Sequence, residues 1–205
     1  MILDGLLRDI GKCRICRDTP EYGKALPHEP RPVIAASPSA RLLIAGQAPG
    51  TRVHASGIPF TDPSGDRLRD WMGIDRDTFY DKRRIAIVPM GFCFPGLDAK
   101  GSDLPPRREC RETWHDRVVG ALPEIRLALV IGQYAHAYHL GTYREKSLTR
   151  TVENWRHIRD QARPYRVYAL PHPSWRNNAW LKKNPWFERE LLPELRGDVA
   201  ETLRT

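Results

Sequence analysis

Several things are scarce or missing in this sequence, and each absence removes a class of protein. No run of about 18 apolar residues occurs, so a transmembrane helix is not expected. The first residues, MILDGLLRDIGKCRIC, carry an acid at position 4 and lack the long apolar stretch of a secretory signal. A cytoplasmic protein with no membrane partner is therefore expected. There is no internal repeat, and the only biased segment is the proline-rich stretch 18–40. The glycines after the first apolar run do not spell G-x-G-x-x-G, and no P-loop lysine follows them. Cysteine is sparse. Of the four, Cys13 and Cys16 form a C-x2-C pair, with Cys93 and Cys110 far downstream. In a cytoplasmic protein such a pair points to metal or redox chemistry rather than to a structural disulfide.

What is present begins with charge. The net charge is +8 and the pI is near 9.6, which favours a polyanionic partner because each neutralised phosphate releases counterions. At 205 residues the chain is expected to be one domain spanning 1–205, long enough for a substantial core. Apolar runs at 40–46, 85–89, 126–132 and 165–171 read as strands. Helices are expected at 1–17, at 64–73 with Ser64 as its cap, at 105–122, at 133–140 and at 184–203, where Pro193 must kink or divide the helix. This alternation predicts a single-domain α/β protein, three-layered α/β/α, with a central, mainly parallel four-stranded sheet. The ligand crevice of such a sheet lies beyond the carboxyl ends of its strands, so the loops after residues 45, 89, 131 and 170 should build the site.

Two of those loops carry candidate chemistry. GQAPG (46–50) follows the first strand, but Pro49 removes an amide that a phosphate cradle would use. A tight backbone pocket suits it better, with the amides of Gln47 and Ala48 free to bind a carbonyl oxygen beside Gly46. PHPSW (171–175) follows the last strand, and its flanking prolines fix the direction of His172. Beyond it, Arg176, Lys182 and Lys183 are interleaved with Trp175, Trp180 and Trp186, a mixture that suits phosphates and stacked bases. Trp186 is expected in the core.

These residues together carry a resemblance. G-Q-A-P-G, G-I-P-F at 57–60 and H-P-S at 172–174 are similar, in order and spacing, to the two signature motifs of the uracil-DNA glycosylase superfamily. The C-x2-C and C-x16-C pairs resemble the iron–sulfur ligands of its family 4 and family 5 enzymes, and the acid in F-T-D-P-S-G-D leans towards family 5. The resemblance implies a monofunctional enzyme of base-excision repair acting as a monomer. It would flip uracil out of single- or double-stranded DNA, hydrolyse the N-glycosidic bond, and release free uracil and an abasic site. It implies that His172 stabilises the departing uracil at O2, that Phe60 stacks on the base, and that Cys13, Cys16, Cys93 and Cys110 hold a structural [4Fe-4S] cluster, with zinc as the alternative for four thiolates. Ser64, Ser174, Trp175, Arg176 and Lys182 become the candidate DNA contacts.

The sequence departs from the family pattern twice. Family 4 has an acid where Gln47 stands. Glutamine can orient a water but cannot take its proton, so Asp62 is assigned that task and His54 is the weaker candidate. Pro89 stands where the family has a base-reading asparagine, which leaves backbone groups of Met90 or Gly91 to read the base and opens the lesion range to hypoxanthine, xanthine or a mismatched thymine. Gln47 and Pro89 also favour a rival reading, a nucleic-acid-binding protein that keeps the fold without the chemistry. A redox protein built on C-x2-C fits poorly, since the pair does not follow a strand.

Overall fold

The computed structural model describes residues 2–162 and 164–204. Four strands, β1 (Leu42–Ala45), β2 (Ile85–Ile87), β3 (Leu127–Ile131) and β4 (Arg166–Leu170), form one sheet in the order β2-β1-β3-β4. All three neighbouring pairs are parallel, with Leu42 opposite both Ile85 and Leu127, and Leu127 opposite Arg166. The strands sit where the apolar runs put them, trimmed by one or two residues at most ends. Among the described residues, twelve α-helices precede, connect and follow them: α1 (Ile2–Gly11), α2 (Ile15–Asp18), α3 (Thr51–Ser56), α4 (Pro63–Met72), α5 (Arg76–Tyr80), α6 (Arg108–Cys110), α7 (Asp116–Gly120), α8 (Gly132–His139), α9 (Leu148–Glu153), α10 (Trp155–Gln161), α11 (Asn178–Lys183) and α12 (Leu192–Arg204). Among the described residues no helix is long and apolar enough to cross a membrane.

The three layers follow from the two-residue period of a strand. Leu43, Ala45, Ala86, Ala128, Val130 and Ala169 point to one face, where α1, α7 and α8 cover them. Leu42, Ile44, Ile85, Ile87, Leu129, Tyr168 and Leu170 point to the other, against α4 and α12. Alanine dominates the first face, so the helices there lie close to the sheet. The second face carries the large side chains and takes Trp71, Phe79 and Phe187 between them. Each fully buried leucine or isoleucine contributes about 1.5–3 kcal/mol, so both faces are strong enough to fix which side of each strand end faces the site.

Several helices depart from the expected spans, for local reasons. The span 1–17 is two helices, and Cys13 lies in the break between them. Helix α4 is capped by the backbone of Asp62 with Pro63 in its first turn, so Ser64 is already inside it. The expected 184–203 helix is divided at Pro193: the residue falls in the first turn of α12, where a missing amide is tolerated, and the turn before it, Phe187–Leu191, is widened to π geometry. A second π turn, Arg111–His115, bridges α6 and α7 inside the expected 105–122 helix. The proline-rich connection is extended, and Ala35 exchanges two backbone hydrogen bonds with Ile87, which covers the open edge of β2.

Three histidines lie inside the molecule. His136 shares its Nε2 between the carbonyls of Val130 and Leu170, at 3.0 and 3.1 Å, and so ties the ends of β3 and β4 together. His115 and His139 meet through their Nε2 atoms at 3.2 Å. Burial lowers all three, to about 4 for His115 and His136 and about 3 for His139. The unfolded chain therefore takes up protons at a higher pH than the folded one, and stability held above pH 6.5 is lost as the pH falls towards 4. We expect the urea midpoint to fall over that window, before the carboxylates titrate, and the slope to lessen in His139→Phe. A midpoint flat from pH 6.5 to 4 would contradict buried neutral histidines.

Candidate active site

The carboxyl ends of β1, β2 and β4 converge on one pocket of ≈ 80 Å³, lined by Gly46–Gly50, Phe60, Asp62, Ser64, Pro89, Asp103 and His172 among others. It opens into a groove of ≈ 640 Å³ that adds Arg52, Ser174, Trp175 and Arg176. The chain runs from central β1 out to β2 and then crosses to β3 on the other side, so the pocket stands where the strand order reverses. The loop after β3 serves indirectly: Gly132, at φ +80°, leaves room for the Gln47 side chain, which would lie 3.1 Å from a Cβ there.

The GQAPG loop is held by its carbonyls, not its amides. Met90 N donates to Gly46 O and Gly91 N to Gln47 O, both at 2.9 Å. Among the described residues the amides of Gln47 and Ala48 donate to nothing, so two N–H groups at the pocket wall are available to an oxygen.

Phe60 has φ +52°, unique among the described non-glycine residues. A bulky residue there is strained, by about 1–3 kcal/mol, and its surroundings enforce it. Tyr80 Oη donates to Phe60 O at 3.1 Å, and Phe79 meets the ring edge-on at 6.0 Å. Gly65 permits it, since a Cβ at that position would sit 1.8 Å from Phe60 O. The ring lies 3.5 Å from where a Cβ of Gly46 would be, so it packs against the first residue of the loop.

Asp62 stands at the N-cap of α4, yet its side chain caps nothing. Its Oδ1 accepts from Ser64 Oγ at 2.7 Å and the carboxylate faces the pocket. Ser64 is buried and its hydroxyl is committed to Asp62. His172 Nδ1 accepts the Ser174 amide at 3.2 Å. A neutral ring with that acceptor carries its proton on Nε2, so the network assigns Nε2–H as the free donor. Burial lowers the pKa of His172, while Asp62 and Asp103 pull the other way. The loop is fixed by Asn177 Nδ2 donating to His172 O at 2.7 Å and by Arg67 donating to Ser174 O at 3.1 Å.

Asp103 was not anticipated from the sequence. It comes from the loop after β2, where Asp98 accepts the amides of Lys100 and Ser102 at 2.8 Å and Leu97 bridges Asp103. Burial raises its carboxyl above the usual range, and Asp62 adds to the rise. A carboxylate in a glycine-proline loop beyond a strand end was the available signal.

Three expected residues lie elsewhere. Met90 is buried in the core on the alanine-rich face, and Pro89 forms the pocket wall instead. Since the amides of Met90 and Gly91 already serve the GQAPG loop, they do not read the base. His54 faces away from the pocket, its ring 4.6 Å from that of His28 and 5.7 Å from that of Phe94. Lys182 is exposed on α11, outside the lining of pocket and groove. Trp175 is 71% exposed at the groove, with Arg176 beside its ring. Trp186 packs half-buried against the core.

The four cysteines line a second, smaller cavity with Ile10, Trp114, Arg107 and Glu109. Two of the sulfurs accept a hydrogen bond: Trp114 Nε1 donates to Cys13 at 3.3 Å and the Phe92 amide to Cys110 at 3.2 Å. Among the described residues no three Cys, His, Asp or Glu side chains are grouped as one metal ion requires.

Residues 34–196 match the model of the family described as the Uracil DNA glycosylase superfamily. A similar solved structure is the solution NMR structure of "a putative Uracil DNA glycosylase from Methanosarcina acetivorans". It is 16% identical, covers 82% of this chain and 96% of that one, and has a TM-score of 0.48.

The two glycines beside Phe60 separate packing from strain. Gly65→Ala must displace the Phe60 carbonyl and should lower the melting temperature by several degrees, whereas Gly46→Ala makes only an ordinary 3.5 Å contact and should fold normally. Equal melting temperatures for the two variants would show that Phe60 is not held as described.

Proposed function

The chain belongs to the uracil DNA glycosylase superfamily, and from that membership and the pocket we propose that it is a monofunctional DNA glycosylase that removes uracil by hydrolysis. One observation carries the reading. A stacking ring, two free amides, a neutral histidine with its proton on the pocket side and two carboxylates meet in a single small pocket at the strand ends.

The nucleotide leaves the base stack, at a cost of a few kcal/mol that is least for a mismatched base. Trp175 occupies the gap, and Arg176 with the Ser174 loop holds the backbone phosphates. The base lies on Phe60, with its O2 towards His172 Nε2–H and the amides of Gln47 and Ala48. As the glycosidic bond breaks, electrons pass to the base and positive charge develops on the sugar. A fixed donor at the forming anion is worth about 3 kcal/mol. A neutral imidazole suits the task because it donates without first giving up a proton. Asp62 and Asp103 face the sugar side, where one carboxylate offsets the positive charge and the other takes the proton of the attacking water. Ser64 holds Asp62 in place for this.

Pro89 supports a second reading of the substrate. It offers the base neither a side-chain group nor an amide, and a pocket without paired polar readers discriminates weakly between related bases. Hypoxanthine, xanthine or a mismatched thymine therefore belong in the substrate set alongside uracil.

The cysteine cavity is the proposed seat of a [4Fe-4S] cluster, with zinc as the alternative for four thiolates. N–H donors directed at Cys13 and Cys110 suit sulfurs that carry negative charge, and hydrogen bonds of this kind tune such clusters. When bound, the cluster supplies structural cross-linking: Cys13 and Cys16 would anchor the N-terminal helices to the loop that carries Asp103.

Two measurements test these assignments. In an alkaline-cleavage assay on oligonucleotides bearing uracil, hypoxanthine, xanthine or G·T, the wild type should cut at uracil. His172→Ala and Asp62→Asn or Asp103→Asn should each lose about a hundredfold, the scale of one missing transition-state contact. Cleavage of no lesion by folded, metal-loaded protein would favour the binding-protein reading. Separately, iron and acid-labile sulfide should each approach about four per chain and fall away in Cys93→Ser, with a lowered melting temperature. One zinc per chain and no sulfide would sink the cluster.

A further inference from the structure

The end of the sheet opposite the base pocket carries a second concave surface, and we propose that it is a binding site for a phosphate group. It is independent of the glycosylase reading. Strands β1, β2 and β3 each begin directly after an arginine: Arg41, Arg84 and Arg126. The backbone sets the three side by side, since Arg41 N donates to Arg84 O at 3.0 Å and Arg126 N donates to Arg41 O at 2.8 Å. Next to them lies a groove of ≈ 410 Å³ lined by Ser39, Arg41, Arg83, Arg84, Thr202 and Arg204, with Leu203 at its base. Among the described residues, no aspartate or glutamate lines it.

Four cations around one groove repel each other unless something negative lies among them. Three are partly occupied. Arg83 pairs with Asp81 at 3.0 Å, Arg84 Nη2 donates to Leu203 O at the end of α12, and Arg204 Nε donates to Ala200 O at 3.3 Å. Arg41 is different. Its Nη1 is buried with no hydrogen-bond partner, and among the described residues its guanidinium makes no ion pair. A guanidinium nitrogen taken out of water wants an acceptor, and the groove is the open side. A tetrahedral phosphate supplies acceptors in the fork geometry that arginine matches, and the Thr202 hydroxyl can bond a remaining oxygen.

Location separates this site from the chemistry. Five residue steps along β1 lie between Arg41 and Gly46, about 17 Å at roughly 3.3 Å per residue. The phosphates next to a base held on Phe60 do not reach Arg41. The phosphate therefore comes either from a remote stretch of nucleic-acid backbone or from a free phosphate ester, and the two sources can be told apart.

The test titrates the full chain with inorganic pyrophosphate and, separately, with a uracil-free oligothymidylate across a range of salt. Wild type, Arg41→Gln, the exposed pair Arg83→Gln/Arg204→Gln, and Arg176→Gln from the base-pocket groove run in parallel. Pyrophosphate should raise the wild-type melting temperature and bind at least tenfold more weakly to Arg41→Gln and to the double variant, but equally well to Arg176→Gln. The double variant keeps the test sound if Arg41→Gln alone folds poorly. Uracil excision at low salt should be unchanged in the double variant. If the oligothymidylate salt slope also falls by about one per lost contact, the source is nucleic-acid backbone. If only pyrophosphate binding falls, the source is a free phosphate ester. Absence of pyrophosphate binding, equal binding by all four proteins, or loss confined to Arg176→Gln overturns the proposal.

Discussion

The pocket rests on a place where no side chain can be. Phe60 O fills the space that a Cβ at Gly65 would need, and only because it does can Phe60 hold its left-handed backbone and present its ring to the GQAPG loop. That one close approach joins the first turn of α4 to the end of the preceding loop, and it thereby sets Asp62, between them, facing inward. The strain at Phe60 is tolerated because Tyr80, Phe79 and Gly65 all oppose its relaxation. A residue held so firmly gives a base a flat surface that does not need to be ordered on binding, so less affinity is lost to entropy.

The polar half of the pocket is arranged by backbone. The Ser174 amide selects the tautomer of His172, Asn177 and Arg67 fix the loop on which it sits, and the core histidine His136 ties the two strand ends behind it. The proposed mechanism calls for a donor that is neutral, aimed and stationary. Here burial provides the first condition, the Ser174 amide the second and the flanking prolines the third. The two carboxylates arrive from different loops and line one small pocket, where burial raises the Asp103 carboxyl.

Much of this was legible in the residues. Four apolar runs correspond to four parallel strands, and the strand-end rule alone puts GQAPG and PHPSW at one crevice. The failures have simple physical causes. Backbone groups of Met90 or Gly91 are the expected substitute for the asparagine that Pro89 replaces, but their amides are taken by the GQAPG loop, and strand parity continues past Ile87: residues 86, 88 and 90 share the alanine-rich face, while 87 and 89 face the pocket. Counting by two would have assigned Pro89 to the wall and Met90 to the core. His54 was misplaced for the helical counterpart of that reason, since Val53 is the residue of α3 that reaches the pocket. Asp103 gave only the general signal of an acid in a loop beyond a strand end, because nothing local to GSDLPP says which way an irregular loop folds. It is positioned by contacts with Gly50 and Leu97.

Chain order gives the molecule a timetable. β1 occupies the middle of the sheet but is made first, and its second neighbour arrives only when residue 131 has left the ribosome. His172 comes later still, so a nascent chain carries half a pocket for much of its synthesis. The cysteine cavity has its own delay. At roughly 5–20 residues per second, Cys13 and Cys16 wait on the order of 5–20 s for Cys110 to be made. In that interval α1 has no α7 to cover its apolar face, and the two early thiols stand open to oxidants and stray metal ions.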